Sequence, residues 1–177
     1  MKKFSILMLT ALLVFFNLKD IKADNRNEDF EKVLTEIGYK EVSIALQETK
    51  DHFKRYLALP TRLAPVAFTH SFGRLSDLDG KINDEFEIKF IHKDLPQNHY
   101  MIRVKPIEHR VTFEENDIDQ IFKLNSGKNA LYISTKLLGF NLLVFDKDGW
   151  QYALSVDKKI SDEVTPEILI DIANSIN

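Results

Sequence analysis

Apolar and polar positions alternate with a period of two through the middle and C-terminal parts of the chain, and with a period near 3.6 at both flanks. Trp150, Tyr152, Leu154 and Val156 share one parity and are separated by Gln151, Ala153 and Ser155, so a strand here puts four large side chains on one face. Residues 140–145 read as its partner strand. Between the two lies Asp146-Lys147-Asp148-Gly149, whose Asp-Gly pair supplies the positive φ of a tight hairpin turn. That register sets Leu143 and Phe145 on the Trp150 face. A helix is predicted next: Thr165 to cap it, Pro166 for its first position and Glu167 at its positive end. Ile168, Leu169, Ile172, Ala173 and Ile176 form its apolar stripe. Each large side chain buried between stripe and hairpin is worth ~1.5–3 kcal/mol before entropy is subtracted, so the two stabilise each other.

The same reading covers the rest. Phe30, Val33, Leu34 and Ile37 recur on one helix face over residues 28–37, and Gly38 stands where a helix commonly ends in a left-handed residue. Val42, Ala45, Leu46, Thr49 and Phe53 give a second helix running toward Leu57, although residues 53–59 also suit an extended chain. Pro60 and Pro65 make the intervening stretch irregular. Val66, Phe68, His70 and Phe72 then alternate as a strand, and Asp77-Leu78-Asp79-Gly80 reads as a turn. Pairing Phe90 with Tyr100, Ile88 with Ile102 and Phe86 with Val104 gathers all six on one side of a hairpin whose other face is wet. Residues 119–124 and 129–134 flank Asn125-Ser126-Gly127-Lys128, a further hairpin signal. The expected fold is α+β: a mostly antiparallel meander sheet with N-terminal helices and a C-terminal amphipathic helix packed on one face.

Lys2 and Lys3 precede an apolar run over residues 4–16. The run is too short for a spanning helix of ~20 residues and has the flanks of a secretory signal, with cleavage after Ala23 preferred to retention as an anchor. Residues 24–177 then form a single domain. Cysteine is absent, so neither a disulfide nor a lipid-modified cysteine is available and the core alone must hold the fold. Such a chain suits the outside of a Gram-positive bacterial cell. Without residues 1–23, which carry four lysines and one aspartate, 20 basic and 26 acidic side chains remain, a net charge of −6. That balance disfavours nucleic-acid binding.

The C-terminal part carries a recognisable order of motifs: Ser126-Gly127-Lys128-Asn129-Ala130-Leu131-Tyr132-Ile133, then residues 142–150 ending in Asp148-Gly149-Trp150, then Tyr152, and finally Ile172-Ala173-Asn174-Ser175-Ile176. It resembles domain-of-unknown-function family 4367, whose members are exported or membrane-anchored proteins of Gram-positive bacteria. The likeness is loose over residues 57–177 and good over residues 124–177. It implies an extracytoplasmic address and a fold. It carries over no catalytic position, because its motifs are core and turn residues.

Candidate chemistry is sparse. The five histidines are His52, His70, His92, His99 and His109. His92 and His99 bracket one loop, but the pairing above sets His99 opposite Ile91 and so on the other face from His92. His70 shares parity with Phe68 and Phe72 and is expected as a half-buried, hydrogen-bonded core histidine, since no Ser-His-acid arrangement is visible. Ser71 and Ser76 lack a nucleophile-elbow context. Residues 77–85 have part of a calcium-loop grammar, yet the loop's first and twelfth positions would be Leu75 and Phe86, which cannot coordinate. Residues 114–119 offer carboxylates but no Gly to fold them round an ion. Both acidic runs read as solvated turns. Thirteen Phe residues suit an ordinary core, or a sheet–helix cavity for an apolar ligand. No catalytic, metal or cofactor residue is therefore assigned. The expected function is that of an exported, monomeric, non-catalytic binding or accessory domain of the cell envelope, with an unknown protein or envelope component as partner. The alternative is a carrier or sensor of a small apolar ligand. Membrane association is expected only if the signal segment is uncleaved. Arg103, facing outward between Met101 and Lys105, could meet a partner or water.

Overall fold

The computed structural model describes residues 31–78 and 80–177. The expected targeting segment, residues 1–23, lies outside the described residues, as do the start of the first predicted helix and Asp79 of the acidic turn. The chain divides into two compact units, Met1–Gly38 and Tyr39–Asn177. In the first, residues 31–36 are helical and Gly38 has φ 92°, the left-handed ending expected there.

The second unit contains helix α1 (Val42–Phe53), strands β1 (His70–Ser76), β2 (Glu85–Ile91), β3 (His99–Pro106), β4 (Gln120–Lys123), β5 (Asn129–Ile133), β6 (Phe140–Lys147) and β7 (Trp150–Asp157), and helix α2 (Pro166–Asn174). All seven strands form one antiparallel sheet in the order β1-β2-β3-β7-β6-β5-β4. It is two consecutive meanders joined along β3 and β7. The fold is α+β, as the alternating pattern implies.

The β2–β3 register is Phe86↔Val104, Ile88↔Ile102 and Phe90↔Tyr100, the pairing that gathers the apolar parity. Across the seam Ile102 faces Leu154 and Val104 faces Tyr152, so both meanders turn their large side chains to one side. The β6–β7 turn has two residues, Asp148 (φ 48°) and Gly149 (φ 79°), which matches the right-handed twist of its strands. α1 and α2 cover this side. Phe53 meets the Trp150 ring edge-on at 5.2 Å, and Leu169, Ile172 and Ala173 are buried in the same cluster as Trp150. After α1 ends at Lys54 (φ 53°), the chain crosses Trp150 and Tyr152. The Trp150 indole N–H donates to the Tyr56 carbonyl (2.9 Å) and the Tyr152 hydroxyl to that of Ala58 (2.8 Å). These polar handles, buried at the tips of two large rings, pin a segment with no regular structure of its own.

Three local expectations need correction. The first strand does not span residues 66–72: it begins at His70 and runs on to Ser76. Val66, Ala67 and Phe68 belong to the approach, where Phe68 packs against Phe90 and Tyr100 and the Ala67 carbonyl accepts from Asn98. Alternation was continuous in sequence, but aromatic packing captured Phe68 outside the ladder. Secondly, Thr165 stands at the N-cap position but makes no side-chain bond to the helix N–H groups; its hydroxyl binds the Glu167 carboxylate and holds it below the usual range. Thirdly, the face called wet is only partly so, because Glu87 in its middle is buried.

Candidate functional site

The sheet face turned away from α1 and α2 carries a cavity of about 500 Å³. The strand parities that fill the core leave Met101, Arg103 and Lys105 of β3, Gln151, Ala153 and Ser155 of β7, and Leu142 and Val144 of β6 on this open face. Two segments rise from the sheet to wall it. The stretch after β3 brings Val111 and Phe113, and the β5–β6 connection brings Leu137 and the start of β6, Phe140.

Both walls are fastened by side-chain hydrogen bonds to their backbone. The Gln151 carboxamide accepts from the Val111 N–H (2.8 Å) and donates to the Val111 carbonyl (2.9 Å), so one side chain completes a backbone unit as a neighbouring strand would. Arg110 adds an ion pair to Asp146 at 3.3 Å. A second cavity of about 280 Å³ lies beyond, sharing Val111, Phe113 and Val144. On the other wall, the Lys158 ammonium donates to the carbonyls of Ser134 and Leu137, both at 2.7 Å. Asp119 accepts from the Ser134 N–H (2.6 Å), the Thr135 N–H (2.9 Å) and the Thr135 hydroxyl (2.6 Å). These bonds, the Thr135 hydroxyl foremost, hold the Asp119 carboxyl below the ordinary range.

The lining is polar on one flank and apolar on the other. Toward β2 and β3 it includes Glu85, Arg103 and Lys105; toward β7 and β6 it includes Ala153, Leu142 and Val144. Arg103 donates through Nε to Oε2 of Glu87 at 3.0 Å, and Arg74 Nη2 lies 3.7 Å from Oε1. Glu87 is only 1 % exposed. A carboxylate so buried needs compensation, and Arg103, Arg74 and Lys89 surround it. Arg74 and Lys89 also lie over the ring of buried Tyr39, at 4.5 and 4.6 Å. Lys89 has its pKa lowered, first by burial and then by the cations Arg74 and Arg103, with Glu87 opposing. Four cations, Arg74, Lys89, Arg103 and Lys105, thus gather against two carboxylates, Glu85 and Glu87. Further along β3 on the same face, His99 has its pKa lowered by burial and by Lys89, which favours the neutral ring, and its Nε2 has no hydrogen-bond partner among the described residues.

The histidines weighed from sequence are scattered. His99 pairs with Ile91 on the ladder and lines the cavity; His92 accepts the Asp94 N–H at 3.2 Å in the adjoining loop. His70 is half-buried and hydrogen-bonded to Thr69 (2.7 Å), as expected, but it stacks on Phe72 and pairs opposite Ile91, on the open side of the sheet. Leu75 and Phe86, the would-be ends of a calcium loop, are strand partners. His52, which nothing in its own neighbourhood singled out, meets Asp84 at 2.9 Å and Asp77 at 3.8 Å. The alternation of Met101, Ala153 and Leu142 was legible, but not that a cavity would form over them. The available signal was the unbroken apolar run of residues 142–145, which implies a strand covered on both faces.

No helix among the described residues is long and apolar enough to cross a membrane. No family model, curated protein or solved structure matches the chain.

Proposed function

We propose that the protein is an extracytoplasmic, monomeric, non-catalytic binding domain of the bacterial envelope that holds a small amphipathic anion on the open face of its sheet. The cavity carries this reading. Its volume of about 500 Å³ falls within the ~300–1,000 Å³ usual for small-molecule sites, and such sites pair an apolar lining with a few placed polar groups. Ala153, Leu142, Val144 and Phe113 suit a hydrocarbon body, while Arg103 and Lys105 stand on the flank where cations outnumber carboxylates. An anionic head oriented there gains charge-assisted hydrogen bonds. This places the ligand on the opposite side of the sheet from the sheet–helix space considered from sequence, which aromatic side chains fill.

The extracytoplasmic address is supported by Lys2, Lys3 and the apolar run behind them. The resemblance of residues 124–177 to family 4367 belongs to the same reading. A non-catalytic role is supported by the cavity's own groups. Ser155, His99 and Asp157 all line it, yet no hydrogen bond joins them, and Asp157 accepts the Lys159 N–H at 2.8 Å.

Native mass spectrometry of protein purified from its own host tests this. The expected result is a retained small acidic amphiphile, absent from Ala153→Trp, whose indole would fill the floor. A wild-type protein that carries no small molecule, and whose melting temperature is unmoved by a panel of fatty acids and acidic lipids, would contradict it.

A further inference from the structure

We propose that His52, Asp77 and Asp84 form a binding site for a zinc ion, each supplying one ligand atom. The site is remote in chemistry from the open-face cavity and does not rest on its function. His52 sits on the last turn of α1, Asp77 just after β1 and Asp84 just before β2. Three separate parts of the fold therefore converge. His52 Nε2 lies 2.9 Å from Asp84 Oδ2 and Nδ1 lies 3.8 Å from Asp77 Oδ2. One ligand atom from each of the three residues falls within 4.8 Å of the others.

Asp84 points to a cation independently of that clustering. Its side chain is 2 % exposed, and Oδ1 is buried with no hydrogen-bond partner among the described residues. A buried carboxylate oxygen left unpaired is costly, and the imidazole satisfies only its companion. A divalent ion would supply the partner that Oδ1 lacks among the described residues. The donor set then selects the ion. One imidazole nitrogen and two carboxylate oxygens suit zinc, which takes three protein ligands and completes its shell with water. Calcium prefers six to eight oxygens, more than these residues provide. In a tetrahedral zinc site with bonds of ~2.0–2.1 Å the ligand atoms stand roughly 3.3 Å apart. Only one imidazole nitrogen can bind the ion, so the 4.8 Å spread of the three ligand atoms must close to that spacing, and the His52 and Asp77 side chains, 27 % and 65 % exposed, are the ones with room to turn. Bound zinc ties the end of α1 to the β1–β2 connection, so binding and stability are linked.

The test is calorimetric titration of zinc chloride into the tag-free full chain after chelator treatment, with His52→Gln and Asp77→Asn alongside. Asp77 is largely exposed, so its substitution leaves the fold intact, which circular dichroism verifies. One equivalent of zinc is expected to bind and raise the melting temperature, with affinity falling about tenfold or more in each variant. Three results would overturn the site: no heat and no thermal shift with zinc, undiminished binding in Asp77→Asn, or calcium binding as strong as zinc.

Discussion

Glu87 and Arg103 show how one side chain can both compensate a buried charge and line a cavity. Glu87 is buried in the middle of β2, and Arg103 from β3 donates to its carboxylate at 3.0 Å, the one hydrogen bond of that group among the described residues. Arg103 also lines the cavity. Removing it leaves a buried carboxylate facing Arg74, at 3.7 Å, and Lys89, with no hydrogen bond from either. Arg103→Ala is therefore expected to cost about 1–3 kcal/mol. Much of that loss should return in Arg103→Ala/Glu87→Gln, because the stranded charge is gone. Urea midpoints of the wild type and the two variants measure both effects. A neutral Arg103→Ala, or a double variant no more stable than the single, would mean that water rather than arginine compensates Glu87.

Helix α1 lies close on the sheet because β1 carries glycine at its crossing point. A Cβ added at Gly73 would stand 2.8 Å from Ala45 Cβ and 3.0 Å from Val42 Cα. Neither atom is the free end of a flexible side chain, so the helix must lift. Overpacking of this kind costs ~1–3 kcal/mol, and Gly73→Ala should lower the melting temperature accordingly; an unchanged value would show that α1 rides loosely. How much of this was legible differs by element. The β2–β3 register follows from parity, because a slip of one residue would turn the three large side chains of one strand away from those of the other. The Asp148-Gly149 turn and α2 follow from local chemistry that needs no distant partner. The seam between β3 and β7 could not be read, since Ile102 and Leu154 lie far apart in sequence and any apolar strand would satisfy either. The start of β1 was misplaced for a related reason: Phe68 keeps the strand's alternation but spends its ring on Phe90 and Tyr100. His52 was invisible as part of a cluster because helix and turn meet only in the folded chain; the acidic run around Asp77 was visible but reads as a solvated turn, whereas Asp84 within it is buried.

Across the whole of the unit Tyr39–Asn177, the two sides of the one sheet differ. The side under α1 and α2 holds Trp150, Tyr152, Tyr100 and Phe86 and is filled. The other side is roofed at two edges by segments that Gln151, Asp119 and Lys158 tie down. Fastened walls over an unfilled floor are what a preorganised site requires, because little ordering remains to be done when a ligand enters. Leu138, between the cavity-lining Leu137 and Gly139, is 92 % exposed. The most direct measurement is a titration of the isotopically labelled full chain with a medium-chain fatty acid, followed by methyl and amide chemical shifts. Saturable shifts are expected at Leu142, Val144 and Ala153, with Leu154 and Ile172 beneath the helices unmoved. Shifts centred on Leu154 and Ile172, or none at any of these positions, would contradict a ligand site on the open face.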